Sequence, residues 1–192
     1  MEIPNVSYCE NDDIVKYSSD EVLMTTKTNL GVLQVCYNKG FCHNPNFMTK
    51  TEASKVSDIG EVFFRNHNIT HFEELEYFTK LTILRTGAFQ GDANLTSIKI
   101  PNSVVTIQGL VFQGTALKSI EIPSGVTSIG GSCFYQCPKL LVITSRAIAA
   151  PSITTNPFPQ LSNNGTLYVP KGSSGYDVWM GCLPSSWTMV EI

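Results

Sequence analysis

The large apolar residues of this chain recur at a nearly fixed interval. Residues 95–112 read LTSIKIPNSVVTIQGLVF, and residues 117–134 read LKSIEIPSGVTSIGGSCF. At an offset of 22, 9 of these 18 positions are identical, including nearly all the large apolar ones. The common pattern is L-x-x-I-x-I-P-x-x-V-x-x-I-x-x-x-x-F. Leu95, Ile98, Ile100, Pro101, Val104, Ile107 and Phe112 fill it once, and Leu117, Ile120, Ile122, Pro123, Val126, Ile129 and Phe134 fill it again. At an offset of 23 upstream, Phe72, Leu75, Tyr77, Phe78, Leu81, Leu84 and Phe89 take the same slots, with only the proline lost. A degraded copy starts at Leu140 and Ile143 and slips by one residue to Ile153 and Phe158. A fifth strand is expected at Leu167, Val169 and Pro170.

The stretch L-x-x-I-x-I reads as a strand whose last residues alternate inward and outward, and β-branched isoleucine suits that pleated surface. Proline removes a backbone donor and turns the chain out of the sheet. The Val, Ile and Phe that follow are expected to fill the space behind the strand. One unit of this length cannot close a core, whereas stacked copies bury a continuous apolar column. Leu95 and Leu117, Ile98 and Ile120, and Ile100 and Ile122 should then lie side by side on adjacent parallel rungs. An antiparallel sandwich also has regular strand spacing, but it has no need of the same residue types at a constant offset.

The ends of such an array must be covered. Thr49 and Glu52 have capping-box spacing, with Met48 placed as a hydrophobic staple. Ala53, Val56, Ile59 and Phe63 follow at helical spacing, which predicts a helical N-cap. Tyr168, Tyr176, Trp179 and Trp187 can cover the last strand, or alternatively form a ligand platform. The organisation expected is an N-terminal segment or cap over 1–47, a helical N-cap and turn over 48–71, repeats over 72–163 and a C-terminal cap over 164–192. Within 1–47, Ile14–Tyr17 and Gly31–Tyr37 read as strand-like runs, either another small cap or a degenerate strand pair. The fold class is α/β or mainly β: a short right-handed solenoid with parallel strands, a helical N-cap and an aromatic C-cap.

Three stretches carry a resemblance. They are the repeat LxSIxIPxxVxxIG…F, the lead-in MTKTEASKVSDIGEVFFRNHNITHFEELEYFTKL, and the ending GTLYVPKGSSGYDVW…SWTMVEI. Over roughly residues 48–192 the chain resembles the BspA-like leucine-rich repeats of bacterial surface proteins. That resemblance implies a secreted or surface-exposed protein; some members bind host matrix proteins and other microbes, and the family has no general catalytic site. The array here is short, and its copy at 140–163 is irregular.

Composition narrows the function classes. Apolar residues make up 42% of the chain and charged residues 15%, so a core is affordable and disorder is not indicated. The formal charge is −3, with the cations scattered, which argues against a nucleic-acid surface. No run approaches the roughly 18 apolar residues of a membrane helix. Residues Met1 to Cys9 show no secretory leader. The expectation is either a cytoplasmic protein or a mature form whose leader has been removed, and the resemblance favours the second. The six cysteines form no C-x-x-C pair. Cys133 and Cys137 are expected to be buried thiols, whereas Cys36 and Cys42 can bridge in an oxidising compartment; the sequence leaves that open.

His67 and His71 stand four apart, as in a helical zinc site, but Asn68-Ile69-Thr70 reads as a turn, and no HExxH glutamate is present. Glu73, Glu74 and Glu76 suggest paired acids, yet in the repeat register they are the outward positions of the first strand. Gly130-Gly131 lacks the lysine of a phosphate loop and reads as a turn.

The expectation is therefore a non-enzymatic module without cofactor or metal, recognising a host or microbial extracellular protein through its outward strand positions. Those positions are Glu73, Glu74, Glu76, Thr96, Ser97, Lys99, Lys118, Ser119, Glu121, Leu141, Val142, Thr144, Thr166 and Tyr168. A structural or self-assembling spacer is the alternative, and a metal-dependent hydrolase a remoter one.

Overall fold

A computed structural model describes residues 22–25, 29–65, 67, 69–162 and 164–192. The strand-like run Ile14–Tyr17 lies outside the described residues. In chain order the elements are β1 (Val22–Thr25), α1 (Leu30–Asn38), β2 (Phe47–Thr49), α2 (Lys50–Ala53), β3 (His71–Phe72), β4 (Ile83–Leu84), β5 (Ser97–Ile98), β6 (Thr106–Ile107), β7 (Ser119–Ile122), β8 (Ser128–Ile129), β9 (Val142–Ser145), β10 (Ser152–Ile153), β11 (Thr166–Val169), α3 (Tyr176–Met180) and β12 (Thr188–Glu191).

From β3 onward the chain winds as a parallel-strand solenoid of about five turns. The strands predicted from L-x-x-I-x-I stack in parallel: β7 pairs with β9, placing Ile120 beside Ile143, and β9 pairs with β11, placing Ile143 beside Leu167. Burial alternates as the pattern requires, with Ile120 and Ile122 inside and Ser119 and Glu121 outside. The ladder continues into β12, with Leu167 beside Met189. β12 was not expected as a rung, although Thr166 and Thr188 are one 22-residue period apart.

The V-x-x-I half of the repeat is more than filler. Its residue pairs Thr106-Ile107 and Ser128-Ile129 form β6 and β8, and a second parallel sheet runs in the order β10-β8-β6-β4. Each of the first four turns therefore contributes two strands, and Leu84, Ile107 and Ile129 point inward from the second. Beyond that sheet, non-strand backbone also forms a ladder: Phe64, Phe89, Phe112 and Phe134 donate their N–H groups to the carbonyls of Ala88, Val111, Cys133 and Pro157.

This third ladder organises the aromatic spine. Phe64, Phe89, Phe112, Phe134 and Phe158 stack nearly parallel at centroid separations of 5.3, 5.7, 5.5 and 5.8 Å, and Trp179 closes the column 5.3 Å from Phe158. All six rings are buried. Offset stacking of this kind adds to the area buried, so the spine holds successive turns at a common spacing.

Several expectations are corrected. Phe72 sits beside Ile98, not beside Leu95 as the 23-residue offset implied. Leu84 nonetheless sits beside Ile107, so the first turn has three more residues before the second sheet than the next one does. The surplus coils into a 3₁₀ helix over Glu73–Tyr77 that still buries Leu75. Glu73, Glu74 and Glu76 are therefore on a helix and not on a first strand. The strand ladder is also interrupted: β5 and β7 are neighbours, but no strand pairing joins them. Gly31–Tyr37 lies in α1 and not in a strand, because Val32, Val35 and Cys36 fall on one helical face and are buried together with Leu33.

The capping box is present, with Glu52 N–H donating to Thr49 Oγ1 at 3.1 Å and Thr49 N–H donating to Glu52 Oε2 at 2.8 Å. The helix it starts ends at Ala53. Val56, Ile59 and Phe63 are buried from non-helical backbone. Asp58 accepts from Gly60 N–H, Gly60 takes a positive φ, and the N–H groups of Val62 and Phe64 pair with the first repeat. Joining the repeat ladder competes with continuing the helix.

The C-terminal aromatics Tyr176, Trp179 and Trp187 are buried against the last turns and satisfy backbone there, but the last strand, β12, is left exposed and, contrary to expectation, is not covered by them. Trp179 Nε1 donates to Pro151 O at 3.0 Å and Trp187 Nε1 to Ser162 O at 2.8 Å. Tyr176 Oη donates to Ala147 O at 2.8 Å and lies 2.6 Å from Ser145 Oγ. Ser145 occupies the buried slot that Ile122 fills one turn earlier, so the cap tyrosine satisfies the one hydroxyl this column admits. Cys36, Cys42, Cys133 and Cys137 are buried free thiols. Burial pushes the Cys42 thiol up to about 11, and those of Cys36 and Cys133 further.

Candidate functional site

The outward positions of β7, β9 and β11 form two columns set by strand register. Ser119, Val142 and Thr166 make one, and Glu121, Thr144 and Tyr168 the other. β12 extends them with Thr188 and Val190. Lys118 and Leu141 flank the first column on the preceding residues and are exposed. Backbone pairing fixes the spacing between rungs at about 4.8 Å, so these side chains project from a rigid frame.

Towards the N-terminal end the face is charged, and several of its charged side chains are held by contacts within the chain. Lys99 Nζ lies 2.5 Å from Glu76 Oε2. Ser97 Oγ donates to Glu73, and Asn29 Nδ2 donates to Glu74 Oε2 at 3.1 Å. Arg146 Nη2 donates to Glu121 Oε2 at 2.8 Å; this bond holds the Glu121 carboxyl below its ordinary range. Thr96 Oγ1 donates to Thr70 O at 2.9 Å. The repeat alignment did not identify Asn29 and Arg146 as partners of the face. Arg146 holds the slot of Pro101 and Pro123, where the pattern predicts no charge.

The fourteen outward residues thus divide. Ser119, Glu121, Val142, Thr144, Thr166 and Tyr168 are brought together on paired strands, with Lys118 and Leu141 beside them. Thr96, Ser97 and Lys99 lie across the unpaired junction between β5 and β7, and the three glutamates lie on the 3₁₀ helix. A hollow lined by Glu76, Thr79, Lys99, Ile100, Pro101, Asn102 and Ser103 opens beside that helix.

The residues weighed for other chemistry do not converge. His67 Nδ1 contacts Arg65 O at 2.9 Å, and His71 Nδ1 contacts Thr70 Oγ1 at 2.9 Å. Among the described residues no group of three or more His, Cys, Asp or Glu side chains is placed to hold a metal ion. No described helix is long and apolar enough to cross a membrane. The Gly130-Gly131 turn has a packing role: a Cβ on Gly130 would lie 2.3 Å from Gly109 N.

No curated protein and no solved structure matches the chain. The family model described as BspA type leucine rich repeat region does match, in six copies, over residues 33–141 and 57–173. The ladders, the aromatic spine and this match agree: the chain belongs to the BspA-type leucine-rich repeat family.

Proposed function

We propose that the protein is a non-enzymatic binding module, secreted or displayed at a cell surface, which recognises a host or microbial extracellular protein through the outward face of its strand ladder. The observation that carries this reading is the registered pair of columns on β7, β9 and β11, held rigid and open to solvent. An extended, gently graded surface suits a macromolecule better than a small ligand, which prefers a concave and mostly apolar pocket. The family match supports a repeat scaffold of the kind used in protein binding and adhesion.

The test is photocrosslinking from two faces. A photoreactive residue at Thr144, on the strand ladder, is compared with one at Thr106, on the second sheet, after incubation with extracellular-matrix extract. Adducts with a protein from Thr144 alone are expected; equal adducts from both positions, or none from Thr144, would contradict the assignment.

A second reading, a self-assembling spacer, is favoured by β12, whose four residues are all exposed and which, among the described residues, pairs only with β11. An unprotected strand edge is a template for further pairing. Light scattering during size-exclusion chromatography separates the readings: a monomer across the accessible concentration range removes this second one.

A further inference from the structure

We infer that β12 is the docking edge for a second copy of this chain, and that the two β12 strands pair antiparallel about a two-fold axis centred on Val190. This deepens the self-assembly reading above and rests on it. The two ends of the stack differ. At the N-terminal end the cap closes the first rung, with Asn29 Nδ2 donating to His71 O and to Glu74 Oε2, each at 3.1 Å. At the C-terminal end β12 is the outermost strand of its sheet, and all four of its residues are exposed. Met189 is 45% exposed, Val190 40% and the adjoining Ile192 56%. A solenoid end that stays alone in water needs a polar outer face, whereas this end presents three apolar side chains. With the other end closed, head-to-tail stacking has no second surface; an edge that pairs with itself closes at two copies.

Backbone geometry fixes the register. Thr188 N–H donates to Gly165 O and Ile192 N–H to Val169 O, so the even-numbered residues bond towards β11. Strand alternation then turns the N–H and C=O groups of Met189 and Glu191 to the open side. Centring on Val190 sets Met189 of each copy opposite Glu191 of the other, which gives about four backbone hydrogen bonds. It also sets the two Val190 side chains against each other. Centring on Glu191 would oppose like charges. Centring on Met189 would call on Trp187 N–H, which already donates to Pro184 O at 2.8 Å. Thr188–Glu191 holds neither the lysine nor the proline that commonly guards a sheet edge, and it pairs with β11 without a bulge. Its one charge, Glu191, stands beside Val169 and would oppose a further parallel copy of the same strand, but in the antiparallel pair it meets Met189. Paired this way, the outward column of Glu121, Thr144, Tyr168 and Val190 runs on into its counterpart, and the assembly presents the face twice.

Light scattering during size-exclusion chromatography of the full chain, carried to high protein concentration, should show a monomer–dimer equilibrium and nothing larger. Met189→Pro removes an outward-facing donor and spares the bonds to β11, so this variant should keep its melting transition and run at the mass of one chain. Register is read by cross-linking in a Cys182→Ser background. Val190→Cys should give a covalent dimer under mild oxidation, because partners in a non-hydrogen-bonded pair lie about 4.5 Å apart at Cα. Thr188→Cys would sit roughly 14 Å from its counterpart and should stay uncross-linked. If Met189→Pro loses its melting transition, the cross-linking pair decides alone. A dimer that survives in folded Met189→Pro, no cross-link at Val190→Cys, equal cross-linking at both positions, or assembly beyond two copies would overturn this edge and leave self-assembly standing. A monomer at every concentration would overturn both.

Discussion

A single methyl group decides whether two turns can meet at Gly130. Its Cβ would lie 2.3 Å from Gly109 N and 2.6 Å from the carbonyl carbon of Gln108, both rigid backbone. Gly130→Ala should therefore destabilise the fold by about 1–3 kcal/mol through overpacking, read as a lower denaturant midpoint with unchanged slope. The cysteines give a second residue-scale check. Cys133 and Cys137 are fully buried, Cys36 is buried in α1, and Cys42 is pushed up to about 11. Thiolate is the reactive form, so in native protein Cys182, the partly exposed one among the described cysteines, should be modified before these four by an aromatic disulfide reagent. Mass mapping that found Cys133 modified first would mean that the core around Phe134 is open.

At the scale of elements, the N-cap carries a pH-sensitive contact. Partial burial raises the Glu52 carboxyl, but hydrogen bonds from Thr49 and His43 outweigh it and hold the group below its ordinary value. A depressed carboxyl stabilises the folded state above the ordinary carboxylate range and loses that contribution as pH falls through its folded value. Acidification should thus lower the melting temperature of the wild type more than that of Glu52→Ala, and at neutral pH that substitution should cost about 1 kcal/mol. The capping box was legible because it is local, four residues long and chemically specific. The strands at Ile120, Ile143 and Leu167 were legible for a similar reason: period-two alternation repeated at a constant offset leaves few registers. The second sheet was not, because a two-residue strand such as Thr106-Ile107 is too short to show a period. The shift at Phe72 was hidden too, since Leu81 and Leu84 kept the 23-residue offset while three surplus residues coiled into a 3₁₀ helix. Phe64 and Trp179 escaped notice as spine members because they lie 25 and 21 residues from their neighbours in the stack, outside the repeat period. In the candidate face the pairing was not legible: Arg146 forms an ion pair with Glu121, and the Asn29 amide donates to Glu74 from far along the chain.

For the whole molecule, stability should be spread along the stack, because each turn contacts chiefly its neighbours. Phe112→Ala empties the middle of the aromatic spine and should cost about 3–5 kcal/mol, whereas Lys118→Ala, on the exposed face, should stay within about 0.5 kcal/mol. Equal losses in chemical denaturation would mean that the inward and outward assignments are wrong. The claim beneath the binding face and the spine alike is that residues one period apart are spatial neighbours on parallel rungs. Nuclear Overhauser spectroscopy on protein labelled at isoleucine methyl groups measures this directly. Cross-peaks are predicted from Ile107 to Ile129, from Ile129 to Ile153 and from Ile120 to Ile143, matching the strand registers. Their absence, with cross-peaks characteristic of antiparallel hairpins between consecutive strands in their place, would contradict the stacked architecture.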